Sequence, residues 1–143
     1  MIDNSCDSSD SISEREFITQ LELACQDLWW FSEAEYPLET VYWQDVKDFN
    51  EQYLLQRQDL SRETEIAIRE FDNFFHSVTQ PQPWHNEAEK QEVRQYQALK
   101  DLLAKNLVDL RVYLLGEIEI DVYVLGKTKQ KAIAGIKTKI VQT

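Results

Sequence analysis

Six residues of the 143-residue chain are the first candidates for chemistry: Glu33, Glu35, His76, His85, Cys6 and Cys25. Glu33 and Glu35 stand two residues apart on a bend beside Trp29, Trp30, Phe31 and Tyr36. His85 opens a run rich in glutamate, His85-Asn86-Glu87-Ala88-Glu89, and His76 stands nine residues before it. Cys6 and Cys25 are the only thiols. Paired carboxylates suggest general acid–base work, but that needs a cleft to raise one of the two pKa values. A zinc protease helix would need a second histidine four residues after the first, and the His85 run has none. Cys25 falls on an apolar helical stripe, so it reads as a core thiol and not as a nucleophile. With three glycines in the whole chain, Gly116, Gly126 and Gly135, no phosphate-cradling loop can be built. The chain also lacks the nucleophile elbow, the Walker loop, the dinucleotide fingerprint and the Cys-x-x-Cys pair. These absences argue against an enzyme and require no cofactor.

Binding chemistry is better represented. Thr79-Gln80-Pro81-Gln82-Pro83-Trp84 is a proline-stiffened, extended loop that presents an aromatic. Trp84 has two readings here, an exposed anchor or a staple tucked under the following helix. The Leu28–Pro37 stretch likewise has two. It is either the joint between the first helix and the sheet, or a rigid, aromatic-backed knuckle that aims Glu33 and Glu35 at a partner. A rigid aromatic beside a charge loses little entropy on docking. At the other end of the chain, Val141-Gln142-Thr143 follows the last strand directly. A hydroxyl and a carboxylate at that position could offer oxygen to a hard cation such as Mg²⁺.

The totals narrow the partner. The chain carries 26 acids against 15 bases, a net charge of −11. A field of that sign repels a phosphate backbone and attracts a basic protein. The charge is uneven, because residues 127–143 hold five lysines and no acid. Those lysines would line the last strand and deter edge pairing. Hydrophobic residues are 43% of the chain, enough for one core. No signal peptide and no run of membrane-spanning length is present, so the expected compartment is the cytoplasm, with reduced thiols.

The elements that must position these residues follow from periodicity. Residues 1–10 are Ser- and Asp-rich and are expected to be a disordered acidic leader, with one domain over 11–143. A capping box at Ser11 or Ser13 starts a helix expected to run to about Trp30, with Phe17, Leu21, Cys25 and Leu28 on one face. Leu38 to Asp45 reads as a strand, and Gln52 to Arg57 as a second. Glu65 to Phe71 reads as a third, with a helix as the alternative, and a short helix capped by Asp72 follows. His85 to Val108 is the strongest helix, with Val93, Tyr96, Leu99, Leu103 and Leu107 as its stripe. Val112 to Val124 reads as one long half-buried strand, with Val112, Leu114, Ile118, Ile120, Val122 and Val124 on one parity and an acidic outer face carrying Arg111, Tyr113, Glu117, Glu119, Asp121 and Tyr123 on the other. After a turn at Gly126, Ile133 to Val141 returns antiparallel and sets lysines beside that face. The sum is α+β: an antiparallel sheet of about five strands flanked by helices.

Five stretches together resemble one family. They are Leu28-Trp29-Trp30-Phe31-Ser32-Glu33-Ala34-Glu35-Tyr36-Pro37, Phe74-Phe75, the Thr79–Trp84 loop, the Val112–Gly126 segment and the last ten residues, Ala134 to Thr143. In order and spacing this set is similar to the nuclease A inhibitor family of cyanobacteria. The resemblance runs from about Leu21 to Thr143 and weakens between Gln44 and Glu65. It implies an α/β/α sandwich, a variant of the plant pathogenesis-related protein fold. It implies a non-enzyme that blocks the active site of a sugar-non-specific DNA/RNA endonuclease of the ββα-metal type. The inhibitor would be a monomer alone and a 1:1 heterodimer with its nuclease, with no direct contact to nucleic acid or membrane. On that analogy Thr143 is directed at the nuclease's Mg²⁺, Glu33 engages basic or metal-proximal groups with Glu35 beside it, and Trp84 is an interface anchor. The chain departs from the family's best-known member at Pro83, which stands where that member has an acidic residue before the tryptophan, and in Lys137 and Lys139 near its end. An acidic interaction module on the same fold, with another basic partner, is the alternative.

Overall fold

The computed structural model describes residues 13–142. The expected acidic leader, Cys6 and Thr143 lie outside the described residues. Within them the order is α1 (Glu14–Cys25), β1 (Trp29–Phe31), β2 (Glu35–Pro37), β3 (Glu39–Trp43), α2 (Glu51–Arg57), β4 (Ile66–Arg69), α3 (Phe71–Phe75), α4 (Glu87–Asn106), β5 (Val108–Leu115), β6 (Glu119–Lys127) and β7 (Ile133–Val141). The main sheet has five antiparallel strands in the order β3-β7-β6-β5-β4, and β1-β2 form a separate hairpin. The fold is therefore α+β, as the periodicities require.

Local chemistry starts each helix. The Ser13 hydroxyl accepts from the Glu16 amide at the head of α1. Asn86 and Glu89 complete a reciprocal capping box at α4, which satisfies two amides that the first turn leaves over. Phe17, Leu21 and Cys25 of α1 and Tyr96, Leu99 and Leu103 of α4 pack with Val112, Val122, Val124 and Ile136 on one face of the sheet. Helix α1 stops at Cys25, short of Trp30. Asp27 follows it with a positive φ of 59°, which a short polar side chain tolerates. Trp29 and Trp30 then lie on a strand, where alternation sends them to opposite sides: Trp30 is buried and Trp29 is 42% exposed.

Several expectations are corrected. The segment read as a strand at Gln52–Arg57 is helix α2, started by the Asn50 side chain, which accepts from the Tyr53 amide at 2.8 Å. Tyr53-Leu54-Leu55 is a continuous apolar run, and Leu54 and Leu55 are both buried against the sheet. That burial also corrects the acidic outer face. Tyr113, Leu115, Tyr123 and Leu125 form a second core with α2 and the loop before it, so only the Glu119–Asp121 end of that face remains acidic. The single strand expected from Val112 to Val124 is a hairpin, β5 and β6. Gly116 turns it at φ 117°, where an added Cβ would meet the Glu119 carbonyl oxygen at 2.5 Å. Partners across this hairpin, such as Val112 with Val124 and Leu114 with Val122, share parity, so the alternation runs through the turn unbroken. Asp72 does not cap α3, whose N-cap is Glu70 without a side-chain bond; Asp72 pairs instead with Lys100 at 3.2 Å. The lysines of β7 do sit beside acids: Lys139 lies 3.6 Å from Glu119 and 4.0 Å from Asp121.

Candidate functional site

The Leu28–Pro37 stretch is the β1–β2 hairpin, and its anchor is Trp30. The indole stacks on Phe74 at 4.6 Å and meets Phe75 and Tyr96 edge-on at 6.1 and 5.6 Å. The Tyr96 hydroxyl donates to the Trp29 carbonyl at 2.6 Å, which ties the hairpin to α4. Pro37 and Trp29 face each other across the pair, and the Leu38 amide donates to the Leu28 carbonyl at 3.1 Å. The stretch is thus the joint between helix and sheet, held rigid from behind by an aromatic cluster.

The tip of the knuckle is bonded to the end of β7. The Val141 amide donates to Ser32 Oγ at 3.0 Å, and the Glu33 amide donates to the Val141 carbonyl at 3.3 Å. Ser32 in turn closes the tip through Ala34, whose carbonyl accepts from the Ser32 amide at 2.9 Å and from its hydroxyl at 3.2 Å. The next residue is held from the other side, because the Gln142 amide donates to the Ile118 carbonyl at 2.8 Å. Further down, the Thr138 hydroxyl donates to the Pro37 carbonyl at 3.1 Å. Residues from positions 32, 118 and 141 therefore meet at one end of the sheet. Gly116 places Ile118 there, and its amide donates to the Glu65 carbonyl at 2.9 Å.

Glu33 is exposed at the tip, and Glu35 is exposed on β2. Glu35 also reaches α4 electrostatically. Partial burial pushes the Glu92 carboxyl up from its usual range, and the negative charges of Glu89 and Glu35 push it further, while His85 pulls it back. An acidic ridge thus runs from the hairpin to the first half of α4. Trp84 stands just before that helix and is 74% exposed. Its ring meets His85 edge-on at 6.0 Å, so it is not a staple beneath α4. The loop that carries it is shaped by His85, whose amide donates to the Gln82 carbonyl at 3.1 Å while its Nδ1 accepts from the Gln82 amide at 3.1 Å. Pro83 is exposed beside it. Helix α4 turns directly into β5 and packs on the same face of the sheet as α1.

The hairpin tip and the β7 end are joined by hydrogen bonds, and the charge of Glu35 acts on Glu92 of α4; the one ring contact of Trp84 among the described residues is to His85. Ile118 was not singled out from the sequence as a site residue. It is 57% exposed on the turn that holds Gln142, and parity marked it as a core position because the turn was invisible. Among the described residues no group of His, Cys, Asp and Glu is arranged to hold a metal ion. Cys25 is buried, and burial pushes its thiol up to about 11 against a weaker opposing hydrogen bond to Thr40, which keeps it protonated at neutral pH and unreactive. No helix among the described residues is long and apolar enough to cross a membrane.

The fold and this site define an α+β sandwich in which an aromatic-backed acidic knuckle is locked to the end of β7. The chain belongs to the nuclease A inhibitor-like protein family, whose model matches residues 15–143. No curated protein matches it. The family is one of inhibitors, and its name points to a nuclease as the partner.

Proposed function

We propose that the protein inhibits a Mg²⁺-dependent, sugar-non-specific DNA/RNA endonuclease of the ββα-metal type by seating the knuckle end in its active site. The observation that carries this reading is the bonding of Ser32 and Glu33 to Val141, with Gln142 held by Ile118. One rigid end thereby offers an acidic tip and the approach to residue 143 together. Thr143 is assigned the approach to the nuclease's metal. Glu33, with Glu35 beside it, engages basic groups of the groove. Trp84, stiffened by Pro83, is the aromatic anchor. Preorganisation of this kind spares the ordering entropy that a loose tail would lose on docking. The net charge of −11 imitates the sign of nucleic acid and steers the encounter, so association slows with added salt. The inhibitor itself performs no catalysis and acts in the cytoplasm as one copy per nuclease.

The test is a titration of the full chain into such a nuclease in Mg²⁺, beside a version lacking Thr143. Activity that falls linearly to zero near equimolar, with a blunted fall for the truncated chain, supports both the inhibition and the role of the tail. Turnover untouched at large excess refutes inhibition of that enzyme. The same fold would then be an acidic interaction module with another basic partner.

A further inference from the structure

A cleft of about 280 Å³ opens at the other end of the sheet, between the loop before α2 and the start of β5. It lies roughly 25 Å from the knuckle along β7, at the usual rise per strand residue. Its walls are Phe49, Tyr113 and Leu125, and its rim carries Arg111, Lys127 and Asp109. Phe49 meets Tyr113 edge-on at 5.8 Å. The opening follows from an irregularity in β5: the pairing register shifts between Val108 and Arg111, and Asp109 takes a positive φ of 56°. Such bulges re-aim side chains at strand ends.

The charges at this rim run against the rest of the molecule. Arg111 pairs with Leu125 across the ladder, and Lys127 lies two residues further along β6. The two cations therefore share one face as diagonal neighbours, about 7–8 Å apart at the backbone. Neither belongs to the ion pairs found among the described residues, in a chain with 26 acids against 15 bases. Burial raises the Tyr113 hydroxyl, and the Arg111 charge opposes that shift while Glu51 and Asp109 add to it. A guanidinium and an ammonium stand beside the half-buried Phe49 ring, with the nearly buried Tyr113 and Leu125 as the floor beneath. Asp109 on the same rim disfavours a polyanion and leaves room for one anionic group.

We propose that this cleft binds a small organic anion. One phosphate or carboxylate group sits against Arg111 and Lys127, and a flat apolar body of single-ring size lies against Phe49. The site is independent of the nuclease-inhibitor reading, since it shares no residue with the knuckle end.

The experiment is an amide-resolved NMR titration of the full chain with phenyl phosphate, inorganic phosphate and benzyl alcohol. Saturable shifts confined to residues 109–113 and 125–127 are expected with phenyl phosphate, at an affinity at least about tenfold above that for either fragment. Arg111→Gln combined with Lys127→Gln should weaken phenyl phosphate at least about tenfold, because charge-assisted bonds to the anion are lost. Both side chains are exposed, so the double variant keeps its fold, and its spectrum elsewhere checks this. Phe49→Ala should weaken phenyl phosphate and leave inorganic phosphate unchanged. The proposal is overturned if millimolar phenyl phosphate moves none of these amides. It is equally overturned if the double variant binds as well as the parent, or if inorganic phosphate binds as tightly as phenyl phosphate.

Discussion

Ser32→Ala isolates the tie between the knuckle and the end of β7. The hydroxyl accepts from the Val141 amide at 3.0 Å and donates to the Ala34 carbonyl at 3.2 Å. Two neighbouring ties survive the change: the Glu33 amide to the Val141 carbonyl at 3.3 Å, and the Gln142 amide to the Ile118 carbonyl at 2.8 Å. A net intramolecular hydrogen bond is worth about 0.5–1.5 kcal/mol. Both bonds of this hydroxyl are solvent-accessible, so water can replace them and the lower half of that range applies, about 0.5–1 kcal/mol. For a chain of this size that corresponds to a melting-point loss of no more than about 4 °C. If the tail must be held in place to inhibit, the same energy appears as inhibition about two- to fivefold weaker. The assay is a tight-binding titration against a Mg²⁺-dependent ββα-metal nuclease, beside Ser32→Thr, which keeps the hydroxyl and should restore inhibition. A variant that melts as expected yet inhibits like the parent would refute positioning of the tail by Ser32. A loss beyond about a hundredfold would refute it differently, since one solvent-exposed tether cannot supply that much; Ser32 would then be touching the partner.

Further outcomes test the frame behind the site. Trp30→Ala removes the indole stacked on Phe74 and edge-on to Phe75 and Tyr96, and chemical denaturation should show a loss of about 3–5 kcal/mol. Gly135→Ala should leave no folded protein by circular dichroism. Its Cβ would stand 1.8 Å from the Val124 carbonyl oxygen, at a φ of 156°, inside the central pair of the sheet. Glu92→Gln should raise the melting temperature at pH 7, and the gain should vanish on acidification to about pH 4. The sign follows from the raised carboxyl: between its unfolded and folded titrations the native state binds more protons, so stability falls as pH rises through that window. A melting curve for Glu92→Gln that keeps its advantage at low pH would contradict this. In a Cys6→Ser background, Cys25 should react with a thiol reagent only at the rate of unfolding, because the buried thiol is pushed up to about 11; fast labelling of that variant in native buffer would show otherwise.

The residue pattern alone determined the parts that depend on one element at a time. The stripe of α4, the capping serine of α1 and the apolar face of α1 are local in sequence. The alternation of Val112, Leu114, Val122 and Val124 marked the helix-facing side of the sheet, and the lysines of β7 were expected beside acids. The family resemblance rested on motifs equally local. The pattern did not reveal what depended on packing from afar. Tyr113 and Tyr123 are buried only because α2 covers them, and α2 itself was mistaken for a strand, since three adjacent apolar residues carry no period. The β5–β6 turn hid behind a parity that an antiparallel hairpin preserves. Above all, Ser32, Ile118 and Val141 are distant in sequence, and no local preference brings them together. The five-stranded order sets the end of β7 beside β6 and its turn. The aromatic cluster around Trp30 then folds the hairpin onto that end. Composition could name an acidic knuckle and a tail, but only long-range hydrogen bonds joined them into one surface.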